Sequence, residues 1–266
     1  MRLKIEHTTR YDYDEPVSYA LQQLRLTPKS HASQTILGWE TEVTGGKREL
    51  FFEDSHRNRV DLISFEPGTE VIEVRCRGEV EMTETHGVIG AHGGFMPLWM
   101  FLRTTPHTRA GNGIRHLASG IETGGSDLDR LHALNTAIHD AIAFQPGTSN
   151  VSWTAEDALT AGTGVCQDMA HLFIAAARVL KIPARYCSGY LYMEGNDQQD
   201  AAHAWAEAHV EGLGWVGFDP ANDQSPDMRY VRVATGLDYL EAAPVSGMRH
   251  GAGGERLTVH VEVQQQ

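Results

Sequence analysis

Cysteine is scarce. Cys76, Cys166 and Cys187 are the only three in 266 residues, an odd number too small for a disulfide scaffold, and a reducing cytoplasm is the expected location. Basic residues are also few, 22 Lys and Arg against 35 Asp and Glu for a formal charge of −13. That field repels polyanions, so nucleic acid is not an expected partner. No apolar run reaches the roughly 20 residues of a membrane span, and the opening Met1-Arg2-Leu3-Lys4-Ile5-Glu6-His7 lacks an apolar signal core; neither a membrane nor standard export is expected. Zinc-hydrolase signatures are missing despite 14 histidines: there is no His-Glu-x-x-His and no Cys-x-x-Cys. No metal or cofactor is called for. What remains, 41% hydrophobic and 21% charged residues, is ordinary globular composition at a length that buries a substantial core in one large domain or two modest ones.

The first eighty or so residues predict β structure. Leu3, Ile5, His7 and Thr9 alternate with polar neighbours, Val43 to Lys47 reads as a hairpin turn, and Glu70 to Met82 alternates again around Ile72, Val74, Cys76 and Val80. An antiparallel sheet ending near Thr83 follows, with the Gly- and His-rich Thr85 to Gly94 as a linker. From Asp127 the period becomes helical, through Leu128, Leu131, Leu134, Ile138 and Ile142. The hydroxyl-to-acid spacing of Thr154 and Asp157 predicts a short helix stopping at Gly162, and a longer one runs from about Cys166 to Leu180 ahead of Pro183. Strands are expected at Ala184 to Met193, Ala202 to Val210, Trp215 to Phe218 and Leu257 to Val263. A Gly-rich stretch near Gly251 is the one compositionally biased tract. The fold class is α+β: antiparallel sheet, then helices, then sheet.

Chemistry concentrates at Cys166. Gly162 and Gly164 deliver the chain into a helix whose first turn holds the thiol, where free amide donors and the helix dipole favour a thiolate. Met169, Ala170, Phe173, Ile174 and Ala177 share its stripe, so the thiol faces protein. A small buried hydrophobe is the other reading of such a cysteine, and it is the one given to Cys76 and Cys187. A thiolate nucleophile needs a base, and the base an orienting acceptor. His203, Trp205, Glu207 and His209 fall on one strand face; Trp215, Gly217 and Asp219 fall on one face of the next. A hairpin centred near Glu211 pairs residues whose numbers sum to 422, which sets His203 opposite Asp219. Gln167 and Asp168 read as ordinary first-turn residues, and His171 as packing or surface.

These blocks carry a resemblance. Thr154-Ala-Glu-Asp-Ala-Leu, Gly162-Thr-Gly-Val-Cys-Gln-Asp-Met-Ala-His, Ile182-Pro-Ala-Arg-Tyr, Ser188-Gly-Tyr, His203-Ala-Trp-Ala-Glu and Gly214-Trp-Val-Gly-Phe-Asp-Pro, in that order, resemble the bacterial transglutaminase-like superfamily of candidate cysteine proteases. Leu3 to Pro28, with Tyr11-Asp-Tyr and Leu24-Arg-Leu-Thr-Pro, is similar to the N-terminal β domain that accompanies this core in bacteria. The resemblance implies a papain-like core, with an N-terminal domain over 1–84, a catalytic domain over 95–266 and core motifs over 154–222. It implies Cys166 as nucleophile, His203 as general base and acid, and Asp219 as the carboxylate that orients the imidazole. The Cys166 backbone amide is a natural oxyanion donor; Trp153, Gln167 and Trp205 are candidates for shaping the site, Trp205 by shielding the imidazole. The activity implied is acyl transfer on peptide or protein amides through an acyl-enzyme. Hydrolysis is favoured; transfer to an amine, or a catalytically silent binding module whose N-terminal sheet docks a partner, are the alternatives.

Overall fold

The computed structural model describes residues 1–121, 124–199, 201–250 and 253–266; Gly251 lies outside them. The alternation of Leu3, Ile5, His7 and Thr9 becomes strand β1 (Arg2–Val17), with all four buried. It pairs antiparallel with β6 (Thr69–Met82), whose inward side chains are those the alternation picked out, and β6 pairs with β3 (Gln34–Thr44). A second antiparallel sheet runs in the order β15 (Val245–His250), β2 (Tyr19–Thr27), β5 (Arg59–Phe65) and β4 (Gly46–Glu53). The two sheets bury Tyr11, Leu24, Ile63, Phe65, Ile72 and Val74 between them. The turn after Val43 exists, but β3 and β4 do not form a hairpin. It carries the chain from one sheet to the other, because each sheet needs the other to cover its apolar face.

The remaining chain builds a third antiparallel sheet in the order β14 (Tyr230–Gly236), β10 (Ala184–Leu191), β12 (His203–Val210), β13 (Gly214–Phe218) and β7 (Val88–Gly90). Helix α4 (Cys166–Val179) lies across β10 and β12, surrounded by α1 (Asn112–Ser119), α2 (Asp127–Ala141) and α3 (Ala155–Ala161). Every residue of α4 from Asp168 to Arg178 is buried. The helix is therefore wrapped on all sides, beyond the single stripe its periodicity describes. Ser126 and Thr154 cap α2 and α3 through reciprocal bonds with Asp129 and Asp157, and Gly162 closes α3. A short parallel pair, β8 (Ala143–Phe144) with β9 (Thr163–Gly164), ties the end of α2 to the approach to α4. Helix α5 (Tyr239–Ala242) follows β14.

Three features differ from the sequence expectation. The segment read as a linker contains β7, which extends the third sheet beside β13. The last strand, β16 (Glu255–Gln265), pairs with β1 and with β11 (Gln198–Gln199), and β15 pairs with β2, so the end of the chain completes the N-terminal sheets and does not extend the 95–266 half. One core runs through both halves: Leu3, Ile5, Val80 and Val263 pack in the same cluster as Phe173 and Phe218. Helix α1 gave no local signal because its cap is remote. The amides of Gly111, Gly113 and Ile114 donate to the carboxylate of Glu156 on α3 at 2.9, 2.7 and 3.2 Å.

The pairing of β16 is testable. Val263 is fully buried and His260 is exposed on the same strand, so Val263→Ala should cost about 2 kcal/mol of stability in urea unfolding. His260→Ala should stay within about 0.5 kcal/mol.

Candidate active site

Cys166 is the first residue of α4, half-buried, and enters the helix from Val165 in extended conformation. The Asp168 side chain turns back to accept from the Val165 amide at 2.9 Å and from Ser149 Oγ at 2.6 Å. Its charge is spent on capping the helix, so the acid two residues after the thiol serves to hold the turn that presents it.

The imidazole comes from the start of β12. Its Nε2 lies 2.7 Å from Asp219 Oδ2, and the Cys166 sulfur is its other hydrogen-bond and charge partner. Burial alone would depress this histidine. The negative charge of Cys166, hydrogen bonds to Asp219 and Cys166, and the Asp219 charge outweigh that, pushing it up to about 10. Burial would likewise raise the Asp219 carboxyl, but the His203 bond and charge, with Asn222 and Tyr230, hold it below its ordinary value. Proton distribution thus favours the imidazolium and the carboxylate side by side.

The register that brings the two strands together differs from the expected one. Ala206 faces Phe218 and Val210 faces Gly214, a sum of 424 where 422 was expected, because the turn centres on Gly212 with φ +83°. A slip of two residues preserves side-chain parity. His203 and Asp219 therefore still share a face, as diagonal neighbours, while Trp205 takes the position level with Asp219. The indole of Trp205 is buried and stacks near His203 at 6.1 Å and 28°, an arrangement that shields the ring from water. Glu207, next along the face, is buried between Arg185 and Arg232 at 2.6 Å each, which ties β12 to β10 and, beyond it, to β14.

Trp153 is half-buried just ahead of α3, its amide donating to the Asn150 carbonyl at 3.0 Å; among the described residues no hydrogen bond or ring contact joins its indole to His203. Gln167 is half-buried beside Cys166 on the first turn of α4. His171 is fully buried and its Nε2 accepts from the Tyr239 amide at 3.0 Å, which makes it a packing residue. Cys76 and Cys187 are buried within strands, and burial raises both thiols, Cys76 to about 12.

Known proteins share the fold that holds these residues. The profile of the transglutaminase-like superfamily matches residues 115–220, and that of the bacterial transglutaminase-like N-terminal region matches residues 3–81. The chain carries a transglutaminase-like core together with the bacterial transglutaminase-like N-terminal region. An uncharacterised protein of Mycobacterium leprae is 28% identical over 275 residues, covering 98% of each chain. One of Mycobacterium tuberculosis is 37% identical over 131 residues, 46% of this chain and 42% of that protein. The solved structure of a candidate cysteine protease from Cytophaga hutchinsonii superposes with a TM-score of 0.80 at 24% identity, covering 99% of this chain and 90% of that one, which shows a shared fold.

Within this transglutaminase-like fold, several residues around the site escaped the sequence reading. Asn222 Nδ2 and the Tyr230 hydroxyl each donate to Asp219 Oδ2 at 2.7 Å. Helix α2 holds the turn that follows Asp219: Asn135 and Thr136 donate to Asp223 at 3.1 and 2.9 Å, and His139 donates to the Pro220 carbonyl at 3.0 Å. Asn222 is the last residue of the 154–222 motif span, two positions past the Asp219-Pro220 block. Tyr230 and Asn135 have no spacing that links them to Asp219 in one dimension.

Gly189 is the position where backbone must approach a site ring. A Cβ there would fall 2.1 Å from the Val231 carbonyl and 2.7 Å from the Trp205 ring. Gly189→Ala should push Trp205 off its seat beside His203 and lower stability by about 1–3 kcal/mol; urea unfolding followed by tryptophan fluorescence would show both the lower midpoint and an altered native spectrum.

Proposed function

We propose that this chain is a thiol-dependent acyl-transfer enzyme acting on peptide or protein amides, with Cys166 as nucleophile, His203 as general base and acid, and Asp219 orienting the imidazole. The observation that carries the reading is the 2.7 Å contact of His203 with Asp219 on a ring whose other partner is the Cys166 thiol. Thiolate attack on the amide carbonyl forms a tetrahedral adduct. Its oxyanion falls near the amide of Cys166 at the start of α4, where the helix dipole adds to the donor. His203 then gives its proton to the departing amine, leaving an acyl-enzyme. Water, activated by the neutral imidazole, releases the acid; a primary amine in its place gives transamidation. Hydrolysis is the outcome we favour, and the three unpaired thiols fit a reducing cytoplasm.

The decisive experiment is turnover of a peptide-amide library with and without an added primary amine, using Cys166→Ala as control. The control should lose all turnover while unfolding within about 1 kcal/mol of the parent; turnover surviving that substitution would sink the assignment. Acid release alone would identify a hydrolase, and amine incorporation a transglutaminase.

The charge state of His203 sets a pH expectation. Amide cleavage needs the imidazolium as proton donor, and a histidine pushed up to about 10 keeps its proton through neutral pH and gives it up only in strong alkali. The rate should follow a bell whose alkaline limb lies near pH 10, with constants that belong to the Cys166–His203 pair. A limb at the ordinary histidine value of about 6.5 would contradict the pairing. Iodoacetamide, mapped by mass spectrometry, should label Cys166 well before Cys76 or Cys187.

A further inference from the structure

Asp219 Oδ2 receives three donors at 2.7 Å, from His203, Asn222 and Tyr230. The third differs from the others in having a history. Tyr230 O itself accepts from Gln224 Nε2 at 2.6 Å, and Gln224 Oε1 accepts from Arg229 Nη2 at 3.1 Å. Arg229 in turn is forked onto Asp227 at the surface. The order of donors along this path has only one solution. A guanidinium donates and never accepts, so Gln224 must present its oxygen to Arg229 and its amide hydrogens to Tyr230. The phenol oxygen, already accepting from Gln224 and facing a carboxylate that only accepts, must send its proton to Asp219.

From this geometry we propose that Tyr230 is a positioning residue for Asp219, its hydroxyl proton fixed toward the carboxylate by a donor chain that starts at the Arg229 cation. Every bond in the chain polarises in the same sense, from cation to anion, so each strengthens the next. The consequence is a buried carboxylate that keeps its charge and its orientation while sharing the same oxygen with His203. The charged and titratable groups facing this path are His203 from β12 with Cys166 of α4 beyond it, Tyr230 from β14, and the Asp227–Arg229 pair in the loop between β13 and β14. Asp223, in the turn after Asp219, is occupied by Asn135 and Thr136 of α2. The inference rests on the functional reading above only for its catalytic meaning; the chain itself is independent of what the enzyme cleaves.

The test is the titration of the Asp219 carboxyl by carbon NMR in the full chain, assigned with Asp219→Asn. Tyr230→Phe removes one hydrogen bond to a charged group and should raise the midpoint by about one pH unit, a tenfold change in the ionisation constant. Gln224→Met should raise it less, and Arg229→Met, a change at a partly exposed side chain that leaves packing intact, less again. That graded order is what a purely packing role for Tyr230 would not produce. The pH below which iodoacetamide alkylation of Cys166 falls away should rise in the same order. An Asp219 midpoint unmoved by Tyr230→Phe, or equal effects of Tyr230→Phe and an unrelated strand substitution such as His260→Ala, would overturn the proposal. Separately, a parent protein whose Cys166 reacts no faster than Cys76 would overturn the functional reading while leaving the Asp219 titration to judge the chain.

Discussion

A carboxylate removed from water must be repaid in hydrogen bonds or it takes up a proton, and Asp219 is fully buried. Most of what surrounds it answers that constraint. The amide of Ala221 serves one oxygen at 3.0 Å; His203, Asn222 and Tyr230 serve the other. Helix α2 fixes the turn that supplies Ala221 and Asn222, and β14 supplies Tyr230. The imidazole in turn keeps its charge because Cys166 on one side and the ionised Asp219 on the other offset the penalty of burying it. Without a charged Asp219 the histidine would lose both the hydrogen bond and the charge with which that carboxylate offsets its burial.

The thiol side of the site depends on a different kind of constraint. Helix α4 is enclosed along nearly its whole length, so its first turn cannot drift relative to β12, and Asp168 locks the entry from Val165. The N-terminal half belongs to the same core: Leu3, Ile5, Val80 and Val263 lie in one hydrophobic cluster with the buried residues of α4. The β-rich part thus shares one core with the helix that carries Cys166.

Much of this was legible in one dimension. Period-two alternation found β1 and β6, because one face of each is buried. The capping boxes at Thr154 and, in the structure, Ser126 set helix starts to the residue. The common face of His203 and Asp219 was read correctly even though the register was off by two residues, since a two-residue slip leaves parity untouched. Helix α1 was missed because its N-terminal amides are satisfied by Glu156, more than forty residues away. The false hairpin at Val43 and the misplaced final strand share one cause: a strand's local pattern reports that one face is buried, and carries no information on which strand lies beside it.

The order of motifs, the helix that begins at Cys166, and the parity that sets His203 and Asp219 on one face were therefore determined by sequence alone, because each is a local consequence of periodicity, capping and turn chemistry. Which sheet β15, β16 and β7 join, the partner that caps α1, and the chain from Arg229 through Gln224 and Tyr230 to Asp219 were decided only in three dimensions. Those relations depend on backbone and side-chain hydrogen bonds between segments that approach one another only once the common core has formed, and no spacing along the chain encodes them.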